Sequence, residues 1–191
     1  MPGRQRTRLK HEFFLLGLLY HRPRHGYDLL KAIRQSPGLS AIWYVKSGRI
    51  YALLDRLEKA GMVTAAQVES HSAPSRKQFT LTPAGEKAYL AWVQQPVGHG
   101  RDMRLIFPAR LYFALQLGEE TALRLIDAQR RECAAWLEGV KSQAQTEEDF
   151  FARQIDHYRT GQIEAMLVWL DSCEWEITTH PIHHSTTRRP K

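Results

Sequence analysis

Apolar residues recur at Ile50, Leu53, Leu54 and Leu57, the three-and-four spacing of one helix face. The spacing predicts a helix over 46–61. Ser47 stands where a side-chain oxygen can cap the first turn, and Gly61 where the chain can leave in the left-handed conformation. Arg49, Ala52, Arg56 and Lys59 recur on a separate face. Two strand-like runs follow, 62–68 and 76–82, the second with Phe79 and Leu81 alternating against polar neighbours. Between them, residues 69–75 are rich in turn formers, so Arg76 and Lys77 fall near the hairpin tip. Upstream, Phe13, Leu16, Leu19 and Tyr20 mark the apolar side of a helix over 9–20, and Pro23 breaks it. A second helix covers 27–35 and ends at Ser36-Pro37-Gly38. A short apolar segment, 41–45, leads into the 46–61 helix. Helix, helix, short segment, helix and hairpin is the order of a winged helix-turn-helix.

Thr82-Pro83 reads as the cap and first residue of a further helix, running to about Gln95 with Tyr89, Leu90 and Val93 inward. Residues 96–100 are the most linker-like stretch, and the domain boundary is placed there. Beyond it the pattern is helical only. Arg104–Leu117 is followed by Leu123, Ile126, Arg130, Cys133, Leu137 and Val140 at coiled-coil spacing. Residues 145–148 break that helix. Phe151, Ile155, Tyr158, Ala165 and Trp169 then form a second seam, beside Met166, Leu167, Leu170 and Cys173. Two helices of more than about 20 residues have too little domain around them to bury both seams, so a second subunit is the expected partner, the alternative being an antiparallel hairpin packed only on itself. The fold class is mainly α with a small β-hairpin. Residues 1–8 are a basic disordered arm, 9–95 the winged helix-turn-helix, 101–176 a helical dimerisation domain and 177–191 a disordered tail.

Composition narrows the function. At 43% hydrophobic residues over 191 positions a packed core is the default, and no apolar run approaches the length of a membrane span. Cys133 and Cys173 are too few for a disulfide framework and read as small core residues. No nucleophile motif, phosphate-cradling glycine loop or metal cluster appears, and His180, His183 and His184 lack fixing neighbours. The expectation is a cytoplasmic protein that is not an enzyme and uses no cofactor or metal. The formal net charge is +7, and it is segregated. Residues 1–77 hold 14 Lys+Arg against 5 Asp+Glu, and residues 78–191 hold 13 against 15. Positive charge confined to the winged-helix segment is the footprint of a polyanion partner.

Three blocks carry a family resemblance: His25-Gly26-Tyr27-Asp28-Leu29, the run Ser47–Gly61, and Phe79-Thr80-Leu81-Thr82-Pro83-Ala84-Gly85. Together they resemble PadR-type transcriptional regulators. Arg101-Asp102-Met103-Arg104 before Leu111-Tyr112-Phe113 is similar to the longer members, which have a multi-helix C-terminal domain. The resemblance implies a homodimer on a palindromic operator in double-stranded DNA. It implies repression, relieved in some members by a small-molecule effector whose site stays unknown here. It also implies roles. Lys46, Ser47 and Arg49 read base edges, Tyr27, Tyr51 and Arg56 position phosphates, and Arg76 and Lys77 are wing contacts. Many relatives carry Ser-Pro where this chain has Lys46-Ser47, which adds a positive charge near the bases. With Arg56, Arg76 and Lys77 on phosphate, a dimer neutralises about six phosphates, giving a log–log salt slope of about −5. The competing class is a winged helix used only as a protein-interaction module. It has no operator and no such slope.

Overall fold

The N-terminal half is built around a helix that is apolar on nearly every side. The computed structural model describes residues 11–70, 73–144 and 149–180. In it α1 spans Glu12–Tyr20, with Phe14, Leu15, Leu16, Leu18 and Leu19 all buried. Such a helix has no wet face and belongs at the centre of its unit. The one-sided stripe expected there is therefore incomplete, because Phe13 and Tyr20 are only half-buried. The chain divides into two units, one running to Val93 and the other beginning at Gln94.

In the first unit, α1 is followed by β1 (Arg24–His25), α2 (Gly26–Gln35), α3 (Pro37–Ile42), α4 (Ser47–Lys59), β2 (Val63–Ser70), β3 (Ala73–Leu81) and α5 (Pro83–Val93). Three features depart from expectation. Ser36-Pro37-Gly38 ends α2 but also starts α3: Ser36 Oγ accepts from the Leu39 amide at 3.3 Å, with Pro37 in the first turn. Arg24 and His25 form a strand opposite Phe79 and Gln78, so the sheet has three strands in the order β1-β3-β2. Both hairpin strands reach into the expected loop, to Ser70 and from Ala73, which puts Arg76 and Lys77 within β3 rather than at the tip. They lie opposite Val68 and Gln67.

Helix α4 buries the predicted face: Ile50, Leu53, Leu54 and Leu57 are all 0% exposed. Each contributes about 1.5–3 kcal/mol. It ends as expected, with Gly61 at φ 68, its amide on the Glu58 carbonyl at 3.0 Å, and the Met62 amide on the Leu57 carbonyl at 2.9 Å. Its start is a correction. The cap position is Lys46, which makes no side-chain cap bond, and Ser47 is the first helical residue. A serine one position too late turns its oxygen away from the open amides.

Helix α5 starts as predicted. Thr82 Oγ1 accepts from the Gly85 amide at 3.0 Å and donates to the Gly61 carbonyl at 2.8 Å. That brings α5 hard against the strand start: a Cβ on Gly85 would lie 2.0 Å from the Met62 carbonyl oxygen. The obstacle is backbone, so Gly85→Ala should cost about 1–3 kcal/mol or more. Gly48, also helical, has nothing within 4 Å of a built Cβ. Gly48→Ala should be neutral or stabilising by about 0.5–1 kcal/mol. Urea midpoints of the two variants check this, and equal midpoints would contradict it. Inward on α5, Trp92 takes the place expected for Leu90, stacking on Phe13 at 5.3 Å.

In the second unit the linker-like stretch is pinned down. Buried Gln129 accepts from the Val97 amide at 2.7 Å and donates back to the Val97 carbonyl at 3.3 Å. Arg110 Nη1 donates to the carbonyls of Gln95 and Pro96 at 2.5 and 2.8 Å, and burial pushes its pKa down to about 10. A 3₁₀ turn over Gly100–Arg104 precedes α6 (Ile106–Leu117), α7 (Glu119–Ala144) and α8 (Phe150–Thr179). Asp149 caps α8, accepting from the Ala152 amide at 2.8 Å. Arg130 bridges to Asp171 at 3.0 Å and to Glu174, and Lys141 to Glu164 at 3.2 Å, so α7 and α8 run antiparallel.

The seams match those predicted only in part, at Ile126, Cys133 and Leu170. In α7 the buried row is Ala122, Leu125, Ile126, Gln129 and Cys133, while Leu123, Leu137 and Val140 are half-buried. In α8 the buried row is Asp156, Ile163, Leu170 and Ile177, every seventh residue. The expected row points largely outward, with Phe151 69% and Tyr158 62% exposed. Both rows keep heptad spacing, and spacing alone does not say which of them turns inward. Ile177 is buried in the helix, so 177–179 are not tail. The 1–8 arm, the 145–148 break and the tail beyond His180 lie outside the described residues. Among the described residues no helix is long and apolar enough to cross a membrane.

Candidate nucleic-acid interface

Four of the eight residues singled out above meet in one depression. Tyr27 comes from the first turn of α2, Tyr51 from α4, and Arg76 and Lys77 from β3. With His25 and Gly26 they line a pocket of about 390 Å³. Gly26 makes the meeting possible, since a Cβ there would sit 2.6 Å from Tyr51 Cε1. The strand pairing completes it: His25 Nδ1 donates to the Lys77 carbonyl at 3.1 Å, tying the α2 entry to the wing. The His25 side chain does not cap the first turn of α2, which begins beside two cations and two phenols. That combination suits a phosphate oxygen.

A second group lies at the start of α4. Lys46, Ser47 and Arg49 are all exposed, on the cap, first and third positions. The preceding segment alternates, with Trp43 and Val45 buried at 6% and 5% and Tyr44 84% exposed. Tyr44 and Lys46 therefore project on the same side, at the turn into the helix.

The basic stripe predicted along α4 is mostly neutralised. Arg56 Nη2 lies 3.0 Å from Oε1 of Glu12, a residue only 1% exposed. Lys59 pairs with Asp55 at 2.8 Å, and that hydrogen bond raises the lysine pKa. Lys77 lies a looser 3.6 Å from Glu58. Lys46, Arg49 and Arg76 have no ion-pair partner among the described residues. The role expected of Arg56, on phosphate, therefore competes with a carboxylate inside the protein.

Neither His25, which lines the depression, nor Tyr44, which stands exposed beside Lys46, is among the site residues expected from sequence. His25 was visible only as part of the His25-Gly26-Tyr27 block, and its strand pairing has no local signature. Tyr44 could have been found from the period-two pattern Trp43-Tyr44-Val45-Lys46, whereas residues 41–45 are taken above as one apolar segment.

Residues 15–91 match the Transcriptional regulator PadR-like family. The matched segment fills most of the N-terminal unit, which is similar to the PadR-like domain. Solved structures similar to the chain include Bacillus subtilis PadR in complex with operator DNA, 20% identical, covering 86% of this chain and 97% of that one at a TM-score of 0.45. The Streptococcus mutans protein smu.1604c is 21% identical, covering 84% and 96% at 0.42. A PadR-like transcription factor of Bacteroides fragilis is 28% identical, covering 46% and 80% at 0.39. No curated protein matches the chain.

Outside the N-terminal unit the chemistry is sparse. Burial raises the thiol pKa of both Cys133 and Cys173, the opposite of what a reactive thiolate needs. A trough of about 480 Å³ lies between α6 and α8, lined by Leu111, Leu115, Trp169, Cys173 and Ile177 together with the polar Ser172, Glu176 and His180. His180 and Glu176 approach to 3.3 Å.

Proposed function

We propose that the protein is a homodimeric, sequence-specific DNA-binding repressor of PadR type that reads a palindromic operator in the cytoplasm. The convergence of Tyr27, Tyr51, Arg76 and Lys77 on one depression supports this most directly. There they hold a phosphate and set the register of the domain on the duplex. Lys46, Ser47 and Arg49, at the start of α4, reach base edges in the major groove, with Tyr44 beside them. Arg56 is left out of this set.

Dimerisation is carried by the outer face of α8, where Phe150, Phe151, Tyr158, Val168 and Trp175 remain exposed. A second copy of the chain is the partner that fits a palindrome. Release by a small molecule belongs to the α6–α8 trough, whose size and mostly apolar lining with a few polar groups suit a small, largely apolar ligand.

Selection of bound duplexes from a random pool, followed by titration of the selected operator, tests the reading. Arg49→Ala should lose about 1–3 kcal/mol on that operator and tolerate more sequences. Arg76→Ala should weaken operator and scrambled duplex alike, since phosphate carries no sequence information. No enriched sequence in the pool would point to a protein-interaction module. Undiminished discrimination in Arg49→Ala would remove that residue from base reading.

A further inference from the structure

Glu12 is the first residue of α1, 1% exposed, and neither of its carboxylate oxygens has a hydrogen bond among the described residues. Its compensation is the Arg56 guanidinium at 3.0 Å, reaching in from α4 while remaining 42% exposed. A buried carboxylate without a cation is strongly disfavoured, so Arg56 is held where it is. We propose that Glu12 is a positioning residue for the DNA interface: it neutralises Arg56 and holds it back from the phosphate backbone, so that α4 presents free charge only at its first turn.

The inference rests on the DNA-binding reading and deepens it. A cation on phosphate adds affinity for every sequence equally, whereas one at a base edge adds discrimination. Cancelling Arg56 from within, with Lys59 already paired to Asp55, leaves Arg49 and Lys46 as the unpaired cations of the recognition helix. The pair also links α1 to α4, which fixes how the helix is presented.

The test uses the full chain and a fluorescein-labelled duplex of mixed sequence, titrated at several salt concentrations, with a urea melt of each protein. Glu12→Gln removes the internal carboxylate and frees Arg56. Binding should tighten, and the log–log slope should steepen by about two units per dimer, one for each subunit. Glu12→Leu together with Arg56→Met removes both charges and should keep the wild-type slope. Arg56→Met alone strands the carboxylate and should lower the urea midpoint, which the added Glu12→Leu should restore. The proposal is overturned if the double variant loses about two units of slope, if Glu12→Gln binds as wild type does, or if Arg56→Met melts no earlier than the double. A wild-type protein that ignores duplex at every salt concentration fails the DNA reading itself. The urea midpoints then still decide whether Glu12 holds Arg56.

Discussion

A full-length chain carrying Phe151→Glu and Tyr158→Glu should sediment as a single 22.1 kDa protomer and bind its operator about 10²–10⁴-fold more weakly than wild type. Both side chains lie on the outer face of α8, 69% and 62% exposed, so the protomer itself has little to lose from the change. In a two-fold interface each substitution occurs twice, placing four carboxylates where two apolar rows would meet. Removing apolar area and introducing like charges act in the same direction. The DNA effect follows from geometry: each N-terminal unit of a dimer raises the effective concentration of the other at the second half-site, and a monomer has no such help. Sedimentation and fluorescence anisotropy on the same samples check both halves. A variant that stays dimeric moves the interface off this face. A monomeric variant with undiminished affinity removes dimerisation from the binding mechanism.

The parts legible in the sequence were those set by local chemistry. The buried face of α4, the Gly61 stop and the Thr82 cap were read correctly because each depends on residues within one or two turns. What failed depended on distant partners. Strand β1 exists because Arg24 and His25 lie beside Phe79 and Gln78, some fifty residues on. Ser36-Pro37-Gly38 carries stop and start signals at once, and only the stop was read. The α8 heptads were visible, but the inward row passes through Asp156, a residue that hydrophobicity would never select. In the candidate interface, Tyr27, Tyr51, Arg76 and Lys77, which line the depression, are legible in the sequence. The ion-pair state of Arg56 is not, because Glu12 lies 44 positions away and reads as an ordinary helix-start acid.

That one pair changes the expected salt dependence of binding. Counting Arg56, Arg76 and Lys77 in each subunit brings six cations to phosphate and a log–log slope of about −5. With Arg56 held by Glu12, Arg76 and Lys77 remain, which is four per dimer and a slope of about −4. Lys77 stays in the count because its 3.6 Å pairing with Glu58 is exposed on both sides. Such surface pairs are worth about 0–1 kcal/mol and yield to a phosphate. Arg49 and Lys46 are left out because base-edge contacts displace few condensed counterions. A slope of −4 weakens binding roughly 250-fold between about 50 and 200 mM salt, the range over which phosphate contacts dominate. Arg76→Ala should flatten the slope by about two units per dimer while leaving the preferred sequence unchanged. Titration of fluorescent operator across that range measures all of this. A slope near −5 in the wild type returns Arg56 to the phosphate. A slope near zero, or equal affinity for operator and scrambled duplex at physiological salt, would leave a winged helix whose partner is another protein.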